Sequence, residues 1–402
     1  MSKEKKIVPE LRFPEFKGDG EWVEKKLGDI GDPLMCKRIF KDQTTTNPEN
    51  AIPFYKIGTF GREADAYISV DLYNEFKNKY SFPNKGDILI SASGTIGRLV
   101  VYDGAPAYFQ DSNIVWLGHD EKSVLNSFLF YCYSTINWQT SDGGVIKRLY
   151  NSDLKNIQIR FPERKAEQQK IAACLSSLDH LIAAHRDKLQ ALNDHKKGLM
   201  QNLFPQEGEK APKYRFPEFR DNWQIKKLSK CIQLISGLHL SPDDYGITGE
   251  TPYFTGPSDF TNKESDIKKW TKKSSNTAEA NDTLITVKGS GVGELWYLTV
   301  PCVAIGRQLM AVRANGCSSP FLYHFLGTKR SRFEDLASGN LIPGLSRNDI
   351  LDLEMPIPSL AEQQKIAACL SALDLLITAK AEKIEQLQQH KKGLMQGLFP
   401  KV

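Results

Sequence analysis

The sequence predicts an α+β chain: two mixed, strand-rich domains separated by two long antiparallel helices that form a coiled coil, the whole carrying an internal pseudo-twofold repeat. Three observations predict it. The 40-residue block AEQQKIAACLSSLDHLIAAHRDKLQALNDHKKGLMQNLFP, which starts at Ala166, returns at Ala361 without a gap and with 28 identical positions. A repeat this long in only two copies is no solenoid unit; it marks two similar halves. In both copies the apolar positions follow a 4-3-4-3 spacing, the seam of a coiled coil. The stretches between them are short β-branched and aromatic runs bounded by Gly, Asp and Asn.

Taken in order, residues 1–21 form an N-terminal segment and 22–162 a first domain. Its predicted strands are IPFYKIGTF (Ile52–Phe60), GDILISAS (Gly86–Ser93), RLVVY (Arg98–Tyr102) and NIVWLG (Asn113–Gly118), and the spacing of SVLNSFLFYCYSTINW (Ser123–Trp138) predicts a helix. DLKNIQIRFP (Asp153–Pro162) closes the domain as a strand. Residues 163–205 form the first helix and 206–222 a linker. The second domain, 223–358, follows the same plan: TPYFTGPSDF, NDTLITVKGSGVG, SPFLYHFLGT and DILDLEMPIP answer the earlier runs with different side chains. Residues 359–402 are the second helix. A further echo, LRFPEF at Leu11 and YRFPEF at Tyr214, precedes each domain, and the second copy directly follows the first helix. The chain reads like a ring cut open, which termini close in space would explain.

The first seam runs Ile171, Leu175, Leu178, Ile182, His185, Leu189, Leu192, Lys196, Leu199, Leu203; the second runs Ile366, Leu370, Leu373, Ile377, Lys380, Ile384, Leu387, Lys391, Leu394, Leu398. Each block has no internal proline and stops at Phe-Pro. About 38 residues at ~1.5 Å each make a rod of roughly 57 Å, too long to cover its seam within one domain, so the helices pair with one another. The matched polar breaks at His185/Lys380 and Lys196/Lys391 have two readings. Long basic side chains reach out of a marginal coil, or they fix register and antiparallel pairing. HKKGLMQ is identical in both copies, so Lys196, Lys197 and Leu199 with Lys391, Lys392 and Leu394, together with Gln168, Gln169, Gln363 and Gln364, are candidates for docking a partner that binds twice.

A composition of 40% hydrophobic and 25% charged residues is that of an ordinary globular protein. No apolar run reaches the ~20 residues of a membrane span, and the charged start MSKEKK is no signal peptide. Seven cysteines without CxxC pairing point to reduced thiols and a cytoplasmic location; the scattered histidines form no metal-ligand spacing. The net charge of +5 is small for 402 residues. Nucleic-acid binding therefore has to rest on local clusters. Those are Lys37–Arg38, Lys147–Arg148, KRSR at Lys329, and KKWTKK, in which Trp270 stands among Lys268, Lys269, Lys272 and Lys273 and could stack or wedge while the lysines hold phosphates. Each is also readable as a solvated charged loop. SGTIG (Ser93–Gly97) and KGSGVG (Lys288–Gly293) follow strands but lead into strands, so they are not phosphate cradles of the helix-N-terminus type. They are glycine turns or close-approach loops, with Ser93, Thr95, Arg98, Lys288 and Ser290 as candidates for DNA contact. Arg307 and Gln308 are of the types that read guanine and adenine edges, or else Arg307 is a buried residue holding the sheet. No catalytic constellation is present.

The doubled EQQKIAACL helix, with FPERKAEQQKIAACLSSLD and IPSLAEQQKIAACLSALD, and the segments GDILISASGTIG, AIGRQLMAV and SGNLIPGLSRNDILDLEMPIP resemble the DNA-specificity (S) subunits of type I restriction–modification systems along essentially the whole chain. The resemblance implies a non-catalytic subunit whose two target-recognition domains each read one half of a split double-stranded DNA target. It implies that the paired helices set the gap and carry two methyltransferase (M) subunits, which motor-nuclease (R) subunits join. S-adenosylmethionine, ATP and Mg2+ then belong to the partner subunits and no cofactor to this chain. It assigns no base-contacting residue; the candidates above come from residue type and context. The competing readings are a coiled-coil interaction scaffold with protein-binding end domains and, more remotely, a nucleotide-using enzyme.

Overall fold

The computed structural model describes residues 7–138, 148–206, 208–273, 275–289, 291–338 and 344–400. Two compact units result, Met1–Ala184 with Ile384–Val402, and His185–Lys383. Each long helix is divided between these units, its first half packing with the domain that precedes it and its second half with the other domain.

In the first unit the elements run β1 (Val23–Lys26), β2 (Asp32–Leu34), β3 (Ala51–Tyr55), β4 (Tyr67–Ser69), α1 (Val70–Lys79), β5 (Ile88–Ser91), β6 (Leu99–Val101), β7 (Tyr108–Phe109), β8 (Ile114–Gly118), α2 (Asn126–Thr135), α3 (Asn151–Asn156), β9 (Gln158–Phe161) and the start of α4 (Lys165–Leu203). One sheet has the order β2-β8-β5-β6, all antiparallel; another is β4-β3-β7, with β3 and β7 parallel. The central strand β5 is buried on both faces, which its unbroken run Ile-Leu-Ile dictates. Aromatic rings of Phe54, Tyr102, Tyr108, Phe109 and Trp116 form one core. A second core gathers Trp22, Phe128 and Cys132 with Ile171 and Leu175 of α4, and with Leu398 and Phe399 from the end of the second long helix.

The second unit repeats this with β10 (Gln224–Lys227), β11 (Ile232–Ser236), β12 (Tyr245–Gly246), β13 (Thr251–Phe254), β14 (Trp270–Thr271), β15 (Thr277–Glu279), β16 (Thr283–Thr286), β17 (Leu295–Tyr297), β18 (Cys302–Ile305), β19 (Leu309–Ala314), α5 (Ser319–Thr328), α6 (Arg330–Ser338), α7 (Arg347–Leu351), β20 (Glu354–Ile357) and α8 (Leu360–Leu398). Its sheets are β11-β19-β16-β17 and β12-β14-β13-β18-β15, the latter again with one parallel pair, β13 and β18. Phe321 and Phe325 of α5 pack with Leu203 and Phe204 of α4 and with Ile366 and Leu370 of α8. Within each unit the start of one long helix therefore lies beside the end of the other, so the pairing is antiparallel.

Two expectations are corrected. DLKN and its counterpart RNDIL are helical (α3 and α7), and only the residues after them form strands. In α7, Ser346 caps the helix by accepting from Asp349 N while the Asp349 carboxylate accepts from Ser346 N, a reciprocal cap that outweighs strand alternation over so short a stretch. The sequence reading also leaves out α1, whose N-cap Ser69 accepts from Leu72 N at 3.2 Å, and α6.

Every seam position of α4 and α8 is buried or half-buried, with Leu175 and Leu370 fully enclosed. Each enclosed leucine contributes roughly 1.5–3 kcal/mol. The polar breaks are paired across the helices rather than turned to solvent: Lys196 to Asp374, Lys391 to Asp179, and Lys380 to His185 Nδ1 at 3.1 Å. A lysine that meets an aspartate on the facing helix discriminates against other registers.

Candidate nucleic-acid interface

In the first unit, three stretches far apart in sequence are sewn together at the end of β5. Ala92 N donates to Asn113 O at 2.8 Å, and Leu149 N donates to Ala92 O at 2.8 Å. Around this stitch Ser93 Oγ donates to Asn113 Oδ1 (2.8 Å), Arg148 Nη2 to Ser112 O (2.8 Å) and Arg38 Nε to Asp111 Oδ2 (3.0 Å). Ser93, Arg148 and Arg38, singled out from sequence as separate clusters, thus share one edge. Thr95 is exposed on the glycine turn between β5 and β6, where Gly94 and Gly97 adopt the left-handed backbone (φ 63° and 82°). Arg98 points elsewhere: its Nη1 donates to Phe60 O at 2.8 Å, holding an internal loop. Lys37 is exposed, its ammonium 5.1 Å from the Tyr80 ring centroid. Lys147 lies outside the described residues. The sequence reading passes over Asn113, Phe40 and Tyr150; the two aromatics are 59% and 61% exposed, beside Arg38 and Arg148 in sequence. An aromatic next to an arginine in RIF and RLY was their available signal.

The second unit has the same stitch: Val287 N donates to Gln308 O and Leu345 N to Val287 O, both at 2.8 Å, with Lys288 bridged to Gly344. Lys288, Arg307 and Gln308 meet there, all exposed, and their side chains bond to no described residue. Arg307 is therefore not a buried sheet support. Ser290 lies outside the described residues.

KKWTKK is not a solvated loop. Trp270 and Thr271 form β14, paired with β12 and β13, and Trp270 is half-buried. Lys269 donates to Asp259 (2.9 Å) and Thr255 Oγ1 (2.7 Å), and Lys273 to Asp244 (2.9 Å). Burial alone would raise the Asp259 carboxyl, but the Thr255 and Lys269 donors outweigh it and hold it below the ordinary carboxylate range; Lys273 likewise lowers Asp244. Those two lysines are tied into the fold, which leaves Lys268 and Lys272 exposed on the alternate face. KRSR lies at the start of α6, with Arg330 paired to Glu334.

The helices carry a second duplicated site. In the first unit Gln388, Lys391, Lys392, Met395, Gln396, Phe399 and Pro400 line a concavity of about 780 Å³ closed by Ser134 and Thr135 of α2. In the second unit, the residues 195 positions earlier (Asn193, Lys196, Lys197, Met200, Gln201, Phe204, Pro205) line one of about 410 Å³ against Gly327 and Thr328 of α5. Lys197, Lys392, Gln201 and Gln396 are exposed yet identical between copies, an identity that core packing does not require.

Two docking candidates are corrected. Gln168 and Gln363 are buried (0% and 3% exposed), so no partner can reach them. Each brackets helix to domain: Gln168 accepts from Leu125 N and donates to Ser123 O and Pro162 O, while Gln363 accepts from Ser318 N and donates to Pro358 O. Their neighbours Gln169 and Gln364 are exposed. The RFPEF echo has a role that sequence reasoning missed. Arg12 grips buried Glu167 through two bonds of 2.8 and 2.7 Å, and Arg215 grips buried Glu362 through two of 2.8 Å. Leu11 N also donates to Gly397 O at 2.8 Å, so the stretch before the first domain sits on the end of α8, as Tyr214 N sits on Asn202 O in the second unit.

Two strand-rich domains with unlike edges, each bracketed to a shared kind of helical frame, define the class of protein: a two-domain, internally repeated α+β chain on paired helices. The family model for the type I restriction modification DNA specificity domain matches residues 19–194 and 220–389, and the chain belongs to that family as a specificity subunit with two target-recognition domains. A putative type I restriction enzyme specificity subunit of Haemophilus influenzae is 54% identical over 156 residues, a match spanning 39% of this chain and 40% of that relative. The MjaVIII specificity subunit of Methanocaldococcus jannaschii is 26% identical over 97% of this chain and 93% of its own length. Among solved structures, the type I restriction-modification S subunit of M. genitalium superposes with a TM-score of 0.71 at 18% identity, covering 98% of this chain and all of that one. Among the described residues, no helix is long and apolar enough to cross a membrane, and no group of three His, Cys, Asp or Glu could hold a metal ion.

Proposed function

We propose that the chain is the non-catalytic sequence-recognition subunit of a cytoplasmic type I restriction–modification complex, each domain reading one half of a bipartite, asymmetric double-stranded DNA target. The paired helices set the gap between the halves, and the two duplicated concavities each seat one methyltransferase subunit. Those partners, with the motor-nuclease subunits that join them, supply the chemistry that uses S-adenosylmethionine, ATP and Mg2+. The observation that carries this reading is a contrast: clamp and bracket recur between the units, and the concavities share Lys, Lys, Met, Gln, Phe and Pro at matching helix positions, while the edges of the two sheets do not. A duplicated dock suits one partner taken twice; unlike edges suit two different sequences.

The test is the methylome of a host carrying the system, which is expected to show adenine methylation at one split motif. A four-residue insertion between Leu189 and His195, about one helical turn, should change the gap and leave both half-sites as they were. Methylation without sequence preference, or an insertion that rewrites a half-site, would overturn the proposal.

A further inference from the structure

In the second unit the link between β18 and β19 is a tight turn, closed by Leu309 N donating to Gly306 O at 2.9 Å. Its ends are clamped. Gly306 N donates to Phe254 O at 2.8 Å, Gln308 O accepts from Val287 N, and Ile305 and Leu309 are fully buried. A Cβ at Gly306 would stand 3.0 Å from Tyr253 Oη and 3.1 Å from Thr255 Cα, so glycine is what lets the turn sit this close to the sheet. The two central residues, Arg307 and Gln308, are exposed and their side chains bond to no described residue.

The counterpart turn of the first unit, between β7 and β8, is one residue longer and its side chains are occupied. Gln110 accepts from Ile57 N at 2.9 Å, Asp111 from Arg38 and Asn113 from Ser93. Gln308 Oε1 lies over Gly256, 2.6 Å from where a Cβ there would stand, so the absence of a side chain at Gly256 makes room for it. A rigid backbone that presents two long side chains, hydrogen-bonded to no described residue and with bidentate donor and acceptor geometry, is preorganised for a planar ligand edge. In duplex DNA that edge is a purine in the major groove: guanine O6 and N7 for arginine, adenine N6 and N7 for glutamine.

Resting on the DNA-reading function above, we propose that Arg307 and Gln308 are the base-reading pair of the second domain. Arg307 specifies a guanine and Gln308 an adenine in one half-site, and the neighbouring Lys288 holds a backbone phosphate. The first domain reads its half-site by other means, because its turn offers an acidic side chain already held by Arg38.

The assay uses the full chain assembled with its methyltransferase subunits, read by methylome sequencing and by competition binding to wild-type and single-base-substituted duplexes. Arg307→Ala is expected to relax the guanine requirement at one position, lowering discrimination there roughly 5- to 150-fold, with the other half-site and the gap unchanged. Q308A should do the same at one adenine. Arg307→Lys should keep affinity but lose discrimination, because an ammonium is a point charge rather than a fork. K288A should weaken all sequences alike and reduce the slope of binding against log salt by about one. Unaltered discrimination at every position in R307A and Q308A, or loss of both half-sites together in the Ala and Lys variants, would overturn the assignment. A wild-type complex without a split motif would instead overturn the function on which it rests.

Discussion

At the start of α4, Arg12 holds Glu167, Gln168 brackets the helix to its domain, and Asp179 faces Lys391; at the start of α8, Arg215 holds Glu362, Gln363 makes the bracket, and Asp374 faces Lys196. At the sheet edges the correspondence stops. Arg38, Ser93, Asn113 and Arg148 are bonded to their neighbours in the first unit, while Lys288, Arg307 and Gln308 are exposed in the second and their side chains hydrogen-bond to no described residue. The frame repeats because both halves solve the same packing problem; the edges differ because they are free of it. Within the frame, one departure touches the helix that carries Asp179 or Ser371. Tyr131 donates to Asp179 at 2.9 Å, and its counterpart is His324, bonded to Ser371 Oγ at 3.1 Å.

The largest expected effect tests the clamps. Arg12→Ala and Arg215→Ala each leave a buried glutamate without its partner and should each cost roughly 3–5 kcal/mol in denaturant unfolding. A loss at one clamp and not the other would break the equivalence of the two frames. A smaller effect sharpens the difference between Tyr131 and His324. Burial and the nearby Lys196 charge push the His324 pKa down to about 3. The unfolded histidine takes a proton near pH 6.5 and the folded one only near 3, so its stabilising share is whole above pH 6.5 and is lost as pH falls through that window. Between pH 6.5 and 5 the second unit should lose roughly 2 kcal/mol, and His324→Tyr should flatten that loss, followed by thermal unfolding at stepped pH. The smallest change in stability, within roughly 0.5 kcal/mol, is expected for Lys197→Glu and Lys392→Glu. Native mass spectrometry should nevertheless show each single variant holding one methyltransferase subunit and the double variant none; both partners retained by the double variant would remove the concavities as docks.

The frame was readable in the sequence because heptad spacing and gapless repetition are local signals: each seam position predicted for α4 and α8 is at least half-buried. The clamps were not, because Arg12 and Glu167 stand 155 residues apart and only the echo of RFPEF hinted at a shared duty. The candidate edges were half legible. Residue type singled out Arg148 and Ser93 in the first unit and Arg307 in the second, but the placing of each depends on main-chain bonds within its own unit, Ala92 N to Asn113 O in one and Val287 N to Gln308 O in the other. Charge clusters misled where the carboxylate partner came from elsewhere, as Asp259 and Asp244 do for Lys269 and Lys273.

The division of each long helix between two units sets an order for synthesis. Every residue of the second unit, His185–Lys383, has been made before the first can be finished, since the first needs the stretch from Ile384 onward. Until then the core around Trp22 and Phe128 lacks Leu398 and Phe399, its last apolar pieces. The half begun first on the ribosome is thus the last to close, and its incomplete core is the surface a nascent chain must keep from aggregating.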